Sequence, residues 1–331
     1  MRIAIIACSN GLGHVRRCLL ISNELAMRGY EVTLFAPFQH ISKFIIDLNR
    51  TKFHLYDFSS RTSKKDFLNR SPHNWVKRIP DLDKYDLVIS DNLLEILYIR
   101  TDAWISGTFF WHESLLGFPE QHKLKINQLL SEFKPNIISS KLLLPDYIKR
   151  NENLFEVGLY VNREFSPLAN QAKTDLLISG GTGGDIEIKI SAFISNLSKV
   201  KNVPFRKVWV EPRFCPENRP NWMEIASYSH EMYSSISAAI IRPGVGTITD
   251  CLYNGIKLFM FHESDNIEMK SNSDCIERAE LGKSFSSLEN AWEESIHYFF
   301  DSRKIDNFNK KIKELNFDGV KEIADLISNW H

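Results

Sequence analysis

The sequence predicts an α/β chain of two domains, each built on a parallel sheet, and three observations carry that expectation. Short, wholly apolar runs alternate with stretches whose apolar residues recur at helical spacing. The alternation starts afresh near residue 175, after a polar stretch. Finally, 331 residues exceed one ordinary domain and leave each of two able to bury its own core. Strands buried on both faces read as continuous apolar runs, the mark of a parallel sheet covered by helices. The expected domains are 1–165 and 166–331, with the final helix packing back on the first.

Arg2 to Ala7 is the first such run. A tight turn, Ser9-Asn10-Gly11-Leu12-Gly13-His14, follows it, and Cys18, Leu19, Leu20, Ile21, Leu25 and Ala26 then form a helical stripe. That helix ends near Arg28-Gly29, because glycine readily takes the left-handed conformation just past a helix. Residues 31 to 36, 52 to 58, 85 to 90, 103 to 110, 136 to 144 and 155 to 160 read as further strands. Helices are expected at about 38 to 49, 92 to 100 and 120 to 133. Asn162 to Thr174 has the composition of a linker.

In the second half, DLLIS from Asp175 leads into Gly180-Gly181-Thr182-Gly183-Gly184 and a helix from about Asp185 to Val200. KVWVEP, AAIIRPG and KLFMFH follow as strands, the last running into an acidic loop with Asp265, Glu268 and Asn272. The stretch from about Ser302 to Trp330 is amphipathic and lysine-bearing, and suits one or two outer helices.

Composition narrows the function. Hydrophobic residues at 43% and charged residues at 25% are ordinary globular values. With 41 basic and 41 acidic side chains, the chain lacks the basic excess expected of a nucleic-acid binder. Cys8, Cys18, Cys215, Cys251 and Cys275 contain no CxxC pair, which points to free thiols in a reduced, cytoplasmic compartment. The N-terminal apolar run is too short for a secretory signal and reads as a strand. No apolar stretch approaches the ~18 residues of a membrane span, and no basic amphipathic helix supports membrane contact.

Three glycine-rich turns carry chemistry. Gly11-Leu12-Gly13-His14 lacks the third glycine of a dinucleotide fingerprint, since Arg16 stands there, and the second strand ends in Ala36-Pro37 with no acid for a ribose; an NAD enzyme is disfavoured. His14 at the start of a helix either accepts a proton from an attacking hydroxyl or merely caps the turn. The second turn follows an apolar strand, and its glycines admit close approach of a ligand, with Ser179 and Thr182 adding hydroxyls. It lacks the GK[ST] ending of a P-loop. In the third, Ala238 to Ile241 feeds Arg242-Pro243-Gly244-Val245-Gly246-Thr247 at a helix start, a form that offers unpaired N–H groups to phosphate.

With GLGH at 11 to 14, ISGGTGG at 178 to 184, RPGVGTITDCLYNG at 242 to 255 and HESDNIEMKSN at 262 to 272, the chain resembles the nucleotide-sugar glycosyltransferases of the GT-B fold, two facing Rossmann-like domains with a donor cleft between them. Among them it looks like the N-acetylglucosaminyltransferase of peptidoglycan assembly and its relatives. The resemblance implies a nucleotide-sugar donor, commonly uridine-linked, held by the C-terminal domain. It implies an acceptor on the N-terminal domain and inversion at the anomeric centre, with no cofactor. Gly244, Gly246 and Thr247 would bind the diphosphate, Asp250 the ribose hydroxyls, and Glu268 and Asn272 the sugar. Gly180, Gly181 and Thr182 would approach the donor from the other turn.

Glycosyl transfer needs a base for the acceptor hydroxyl and stabilisation of the departing diphosphate. His14 is the candidate base. Helix starts at Gly246 and Gly183, with Arg242, are candidates for the diphosphate, and no Asp-x-Asp motif calls for a metal. Asp91 and Glu113 could orient His14 or replace it as base; Asp91 could equally cap a helix. Gly11, Gly13, Arg17, Trp111 and His112 are placed on the acceptor side, although Arg16-Arg17 is by default a solvated charge pair. Acceptors compatible with this reading are glycans, lipid-linked sugars and small molecules. A second resemblance, in Arg17-Cys18 after the glycine turn, is to the UDP-sugar hydrolase of the pseudaminic acid pathway, where water replaces the acceptor. A donor-binding subunit without catalysis is the third alternative.

Overall fold

The computed structural model describes residues 1–44, 51–60, 74–162, 173–181 and 186–330. They form two units, Met1–Tyr160 with Asn316–His331, and Val161–Leu315. The expected linker lies mostly outside the described residues, as do Thr182, Gly183 and Gly184.

The first unit holds a seven-stranded sheet. Its strands are β1 (Arg2–Ile6), β2 (Glu31–Ala36), β3 (His54–Asp57), β4 (Leu87–Asp91), β5 (Trp104–Ser106), β6 (Ile137–Ser140) and β7 (Leu154–Val157). They run parallel in the order β3-β2-β1-β4-β5-β6-β7. Alternate residues of β1 serve two cores. Ile3 and Ile5 pack with Val15 and Leu25 and with Ile323 and Ile327, whereas Ala4 and Ile6 pack with Phe35, Trp75 and Val88. Helices Leu12–Met27 and Gly319–Asn329 cover the first of these faces.

The second unit holds a six-stranded parallel sheet, β8 (Asp175–Ser179), β9 (Val208–Val210), β10 (Met223–Ile225), β11 (Ile236–Ile241), β12 (Lys257–Phe261) and β13 (Gly282–Phe285). Its order is β10-β9-β8-β11-β12-β13. Every residue of β8 and β11 is buried.

Several elements differ from expectation. Residues 92 to 100 form only a short 3-10 turn, Leu94–Tyr98, because Asn92 takes a left-handed conformation (φ 56°) and breaks the helical run at its start. The helix expected from 38 is Phe38–Ile41, and residues 45–50 lie outside the described residues. Glu268 and Asn272 are not in a loop: the acidic stretch becomes helix Ile267–Arg278, capped by the Asn266 side chain on Met269 N at 3.1 Å. β10 and β13 were not anticipated. Helix Ser302–Ile312 is amphipathic and lysine-bearing, as that stretch predicts, and its apolar side turns inward, with Phe308 buried against Tyr298. No helix among the described residues is long and apolar enough to cross a membrane.

Candidate active site

In an open parallel sheet the crevice for ligands lies at the carboxyl ends of the strands, where the strand order reverses. In the first unit the reversal falls between β1 and β4, and the residues just beyond those strands are the GLGH turn and Asp91. Gly11 is the N-cap of helix Leu12–Met27, and His14 lies in that helix's first turn. A Cβ on Gly11 would stand 3.4 Å from the His14 ring, an ordinary contact; Gly13 is exposed, with open space around it.

His14 Nδ1 is 2.7 Å from Asp91 Oδ2. Arg17, one helical turn on, donates Nε to Asp91 Oδ1 at 2.8 Å, and its Nη2 contacts the same oxygen. Asp91 is fully buried and Arg17 is 5% exposed, so the pair is sequestered and not part of a solvated face. Burial works to raise the Asp91 pKa, but Arg17 and His14 together hold it below the ordinary carboxylate value. An ionised Asp91 can only accept, so the proton of this contact sits on His14 Nδ1, and in the neutral ring the lone pair is on Nε2. The ring packs beside Phe109 and Trp111, with centroids at 5.7 and 6.1 Å.

Local backbone locks this carboxylate. Asn92 N donates to Ser106 O at 2.8 Å, joining the ends of β4 and β5. The Asn92 side-chain amide fills the space beside Gly107, where a Cβ would fall 1.5 Å from its end. A larger residue at 107 would therefore have to push the Asn92 side chain aside.

His112 and Glu113 go elsewhere. His112 is buried, stacks on Phe110 and pairs Nε2 with Asn127 Oδ1 at 3.2 Å; burial pushes its pKa down to about 4. Glu113 accepts from Lys123 Nζ at 2.9 Å. Both line a cavity of about 350 Å³ with Asn127, Tyr147 and Arg150, which His14 and Asp91 do not line.

In the second unit the order reverses between β8 and β11, whose ends carry the other two glycine turns. Gly244 is the N-cap of helix Val245–Tyr253. The first backbone bond into that helix is Ile248 N to Gly244 O at 2.9 Å, so the N–H groups of Val245, Gly246 and Thr247 precede the intrahelical ladder. Asn272, buried one turn into its own helix, donates Nδ2 to Pro243 O at 3.0 Å and so braces the turn. Arg242 Nε is 3.1 Å from both oxygens of Glu263. Asp250 and Glu268 are half-buried, each on a helix that starts at this edge of the sheet.

The Gly180-Gly181 turn is engaged from within. Glu211, just past β9, accepts through Oε2 from Ser179 Oγ at 3.0 Å, Gly180 N at 2.8 Å and Gly181 N at 3.0 Å. Among the described residues, no group of three or more His, Cys, Asp or Glu side chains is placed to hold a metal ion.

With this geometry in view, comparison with known proteins gives one answer. No family model matches the chain. Two curated proteins, both named uncharacterized glycosyltransferase, are similar: one of Methanosarcina mazei at 24% identity over 87% of each chain, and one of Methanosarcina acetivorans at 22%. Among solved structures, the glycotransferase of kitacinnamycin superposes with a TM-score of 0.68 at 13% identity, over 99% of this chain and 98% of that one. LpCGTa in complex with UDP gives 0.67 at 14% identity with the same coverage. Acinetobacter baumannii MurG gives 0.60 at 14% identity over 99% of both chains. The chain has the GT-B fold, and the sequence relatives it is similar to are named glycosyltransferases.

Within that GT-B frame, the structure brings His14, Arg17, Asp91 and Trp111 together in one unit and gathers the Gly244 turn with Asn272 in the other. It does not bring His112 or Glu113 to His14. Sequence reasoning missed Glu211 and Glu263, although each is a polar residue at a strand's carboxyl end, the place where open α/β sheets carry their sites.

Proposed function

We propose that the chain is an inverting, metal-independent glycosyltransferase that moves a sugar from a uridine-linked donor to an acceptor hydroxyl. The observation that carries this reading is the His14–Asp91 bond, with its free Nε2 at the sheet's switch point. His14 Nε2 takes the proton as the acceptor oxygen attacks the anomeric carbon, and the bond to the diphosphate breaks on the opposite face. Asp91 fixes the tautomer and stabilises the imidazolium that forms.

The departing charge falls on the N–H groups of Val245, Gly246 and Thr247 and on the positive end of that helix. Glu263 already compensates much of the Arg242 charge, which leaves the helix terminus as the principal stabiliser. Asp250 binds ribose hydroxyls, and Glu268 the sugar. The UDP bound by LpCGTa, a neighbour of the same fold, supports a uridine donor. The acceptor is a glycan, lipid-linked sugar or small molecule.

The test is UDP release from UDP-sugars with and without candidate acceptors. Acceptor-dependent release is expected. Fast release of free sugar without acceptor would make the protein a hydrolase, and UDP binding with no turnover on any acceptor would make it a donor-binding subunit.

A further inference from the structure

The turn after β8 is an anion seat filled by the chain itself. Gly181 is left-handed (φ 64°), and successive N–H groups in such a turn converge on one point, as in nests that bind phosphate. Here the point is occupied by Glu211 Oε2, held by Ser179 Oγ, Gly180 N and Gly181 N. Arg213 completes the arrangement. It donates Nε to Glu211 Oε1 at 2.7 Å and also contacts Gly181 O and Glu187.

This arrangement is fastened on every side. A Cβ on Gly180 would stand 2.5 Å from Ile190 and 2.9 Å from Phe214, so the turn lies flush on its neighbours. Tyr228 OH is 3.2 Å from Ser179 Oγ. A nucleotide phosphate using the Gly180 and Gly181 N–H groups would have to displace a carboxylate already bonded to these donors. The turn is also tied to the Gly244 turn, since Arg242 N donates to Ser179 O at 3.0 Å. Order imposed on Ser179 is therefore passed to the residues that open helix Val245–Tyr253.

We propose that Glu211 is a positioning residue of the donor site: it is the resident anion of the Ser179–Gly181 nest, and it acts on the donor through the Ser179–Arg242 connection. The inference rests on the donor site assigned above. The nest contributes shape to donor binding, and the diphosphate is carried at the start of helix Val245–Tyr253.

The experiment compares wild type, Glu211→Gln and Glu211→Ala by calorimetric titration with UDP and dTDP, in sodium formate and in sodium chloride of equal ionic strength. Thermal midpoints are recorded in the same buffers without nucleotide. Wild type should be indifferent to formate. Glu211→Ala should bind UDP roughly ten- to hundredfold more weakly, as expected for losing hydrogen bonds to a charged group. Formate, entering the vacated seat, should restore part of that affinity and raise the midpoint. Glu211→Gln, which keeps the shape and loses the charge, should fall between.

Equal or tighter UDP binding by Glu211→Ala overturns the proposal, as does a midpoint that ignores formate. If the alanine variant does not fold, unaltered UDP affinity in Glu211→Gln overturns it instead. Should formate stabilise Glu211→Ala while no variant, wild type included, binds either nucleotide, the donor reading fails and the nest assignment stands.

Discussion

Arg17 and Asp91 form a buried ion pair whose remaining carboxylate oxygen holds His14. One carboxylate thus serves two cations or near-cations on a single helix, at positions three residues apart that share a face. The arrangement couples the stability of the first unit to the orientation of its candidate base, and the two can be separated by mutation.

His14→Ala removes the proton acceptor and leaves the Arg17–Asp91 pair intact. Turnover with acceptor should fall by roughly 10²- to 10⁴-fold. UDP affinity, measured by titration, should be unchanged because the nucleotide is assigned to the other unit.

Asp91→Asn leaves Arg17 buried without a counter-charge. Breaking a buried pair in this way costs about 3–5 kcal/mol, visible as a lower denaturant midpoint. The pH dependence has a definite sign. Because the Asp91 pKa is depressed on folding, its contribution is complete above the ordinary carboxylate range near pH 4 and is lost as pH falls through the lower folded value. Acid unfolding of wild type should therefore show a component that the asparagine variant lacks.

Glu95 predicts the opposite trend. It is buried in the turn after β4, and desolvation raises its pKa to about 7. A carboxyl whose pKa rises on folding costs stability as pH climbs from the unfolded value near 4.5 to the folded one, and the whole cost is present above it. Glu95→Gln should stabilise the protein at pH 8 by up to about 3 kcal/mol and make little difference at pH 4.

Gly244→Asp separates helix stability from phosphate binding. A Cβ there meets nothing within 4 Å, and aspartate is a good N-cap, so the thermal midpoint should hold or rise, by about 1 kcal/mol at most in stability. A carboxylate at the same N–H groups competes with the diphosphate. UDP affinity should fall by roughly tenfold or more; undiminished binding would place the diphosphate elsewhere.

Turnover should be indifferent to EDTA. A loss of activity restored by a divalent cation would replace the helix terminus with a metal as the stabiliser of the leaving diphosphate.

The sequence made the fold legible where a whole apolar run or helical stripe was present: Glu31–Ala36 and Glu120–Phe133 have the expected bounds. It left β10 and β13 unread. The first has three residues, and the second, Gly282–Phe285, is only partly buried and carries no apolar run. At the candidate site the glycine turns were visible because glycine marks the backbone directly. Their occupants were not, because Glu211 reaches the nest from another strand end, some 30 residues away. Arg17 looked like surface charge because its partner, Asp91, is 74 residues distant in the chain and adjacent only after β1 and β4 pair.

The helix Gly319–Asn329 buries Ile323, Ala324 and Ile327 in the first unit's core, and joins it through Arg28–Asp325 at 2.6 Å and the Trp104–Trp330 ring pair at 4.9 Å. A ribosome makes residues 1–160 long before it makes these. During synthesis the first unit must wait with an apolar face uncovered while the whole of the second emerges, so the order of folding runs against the usual N-terminal-first sequence. A fragment ending at residue 160 should accordingly aggregate, and adding the missing helix as a separate peptide should restore its solubility.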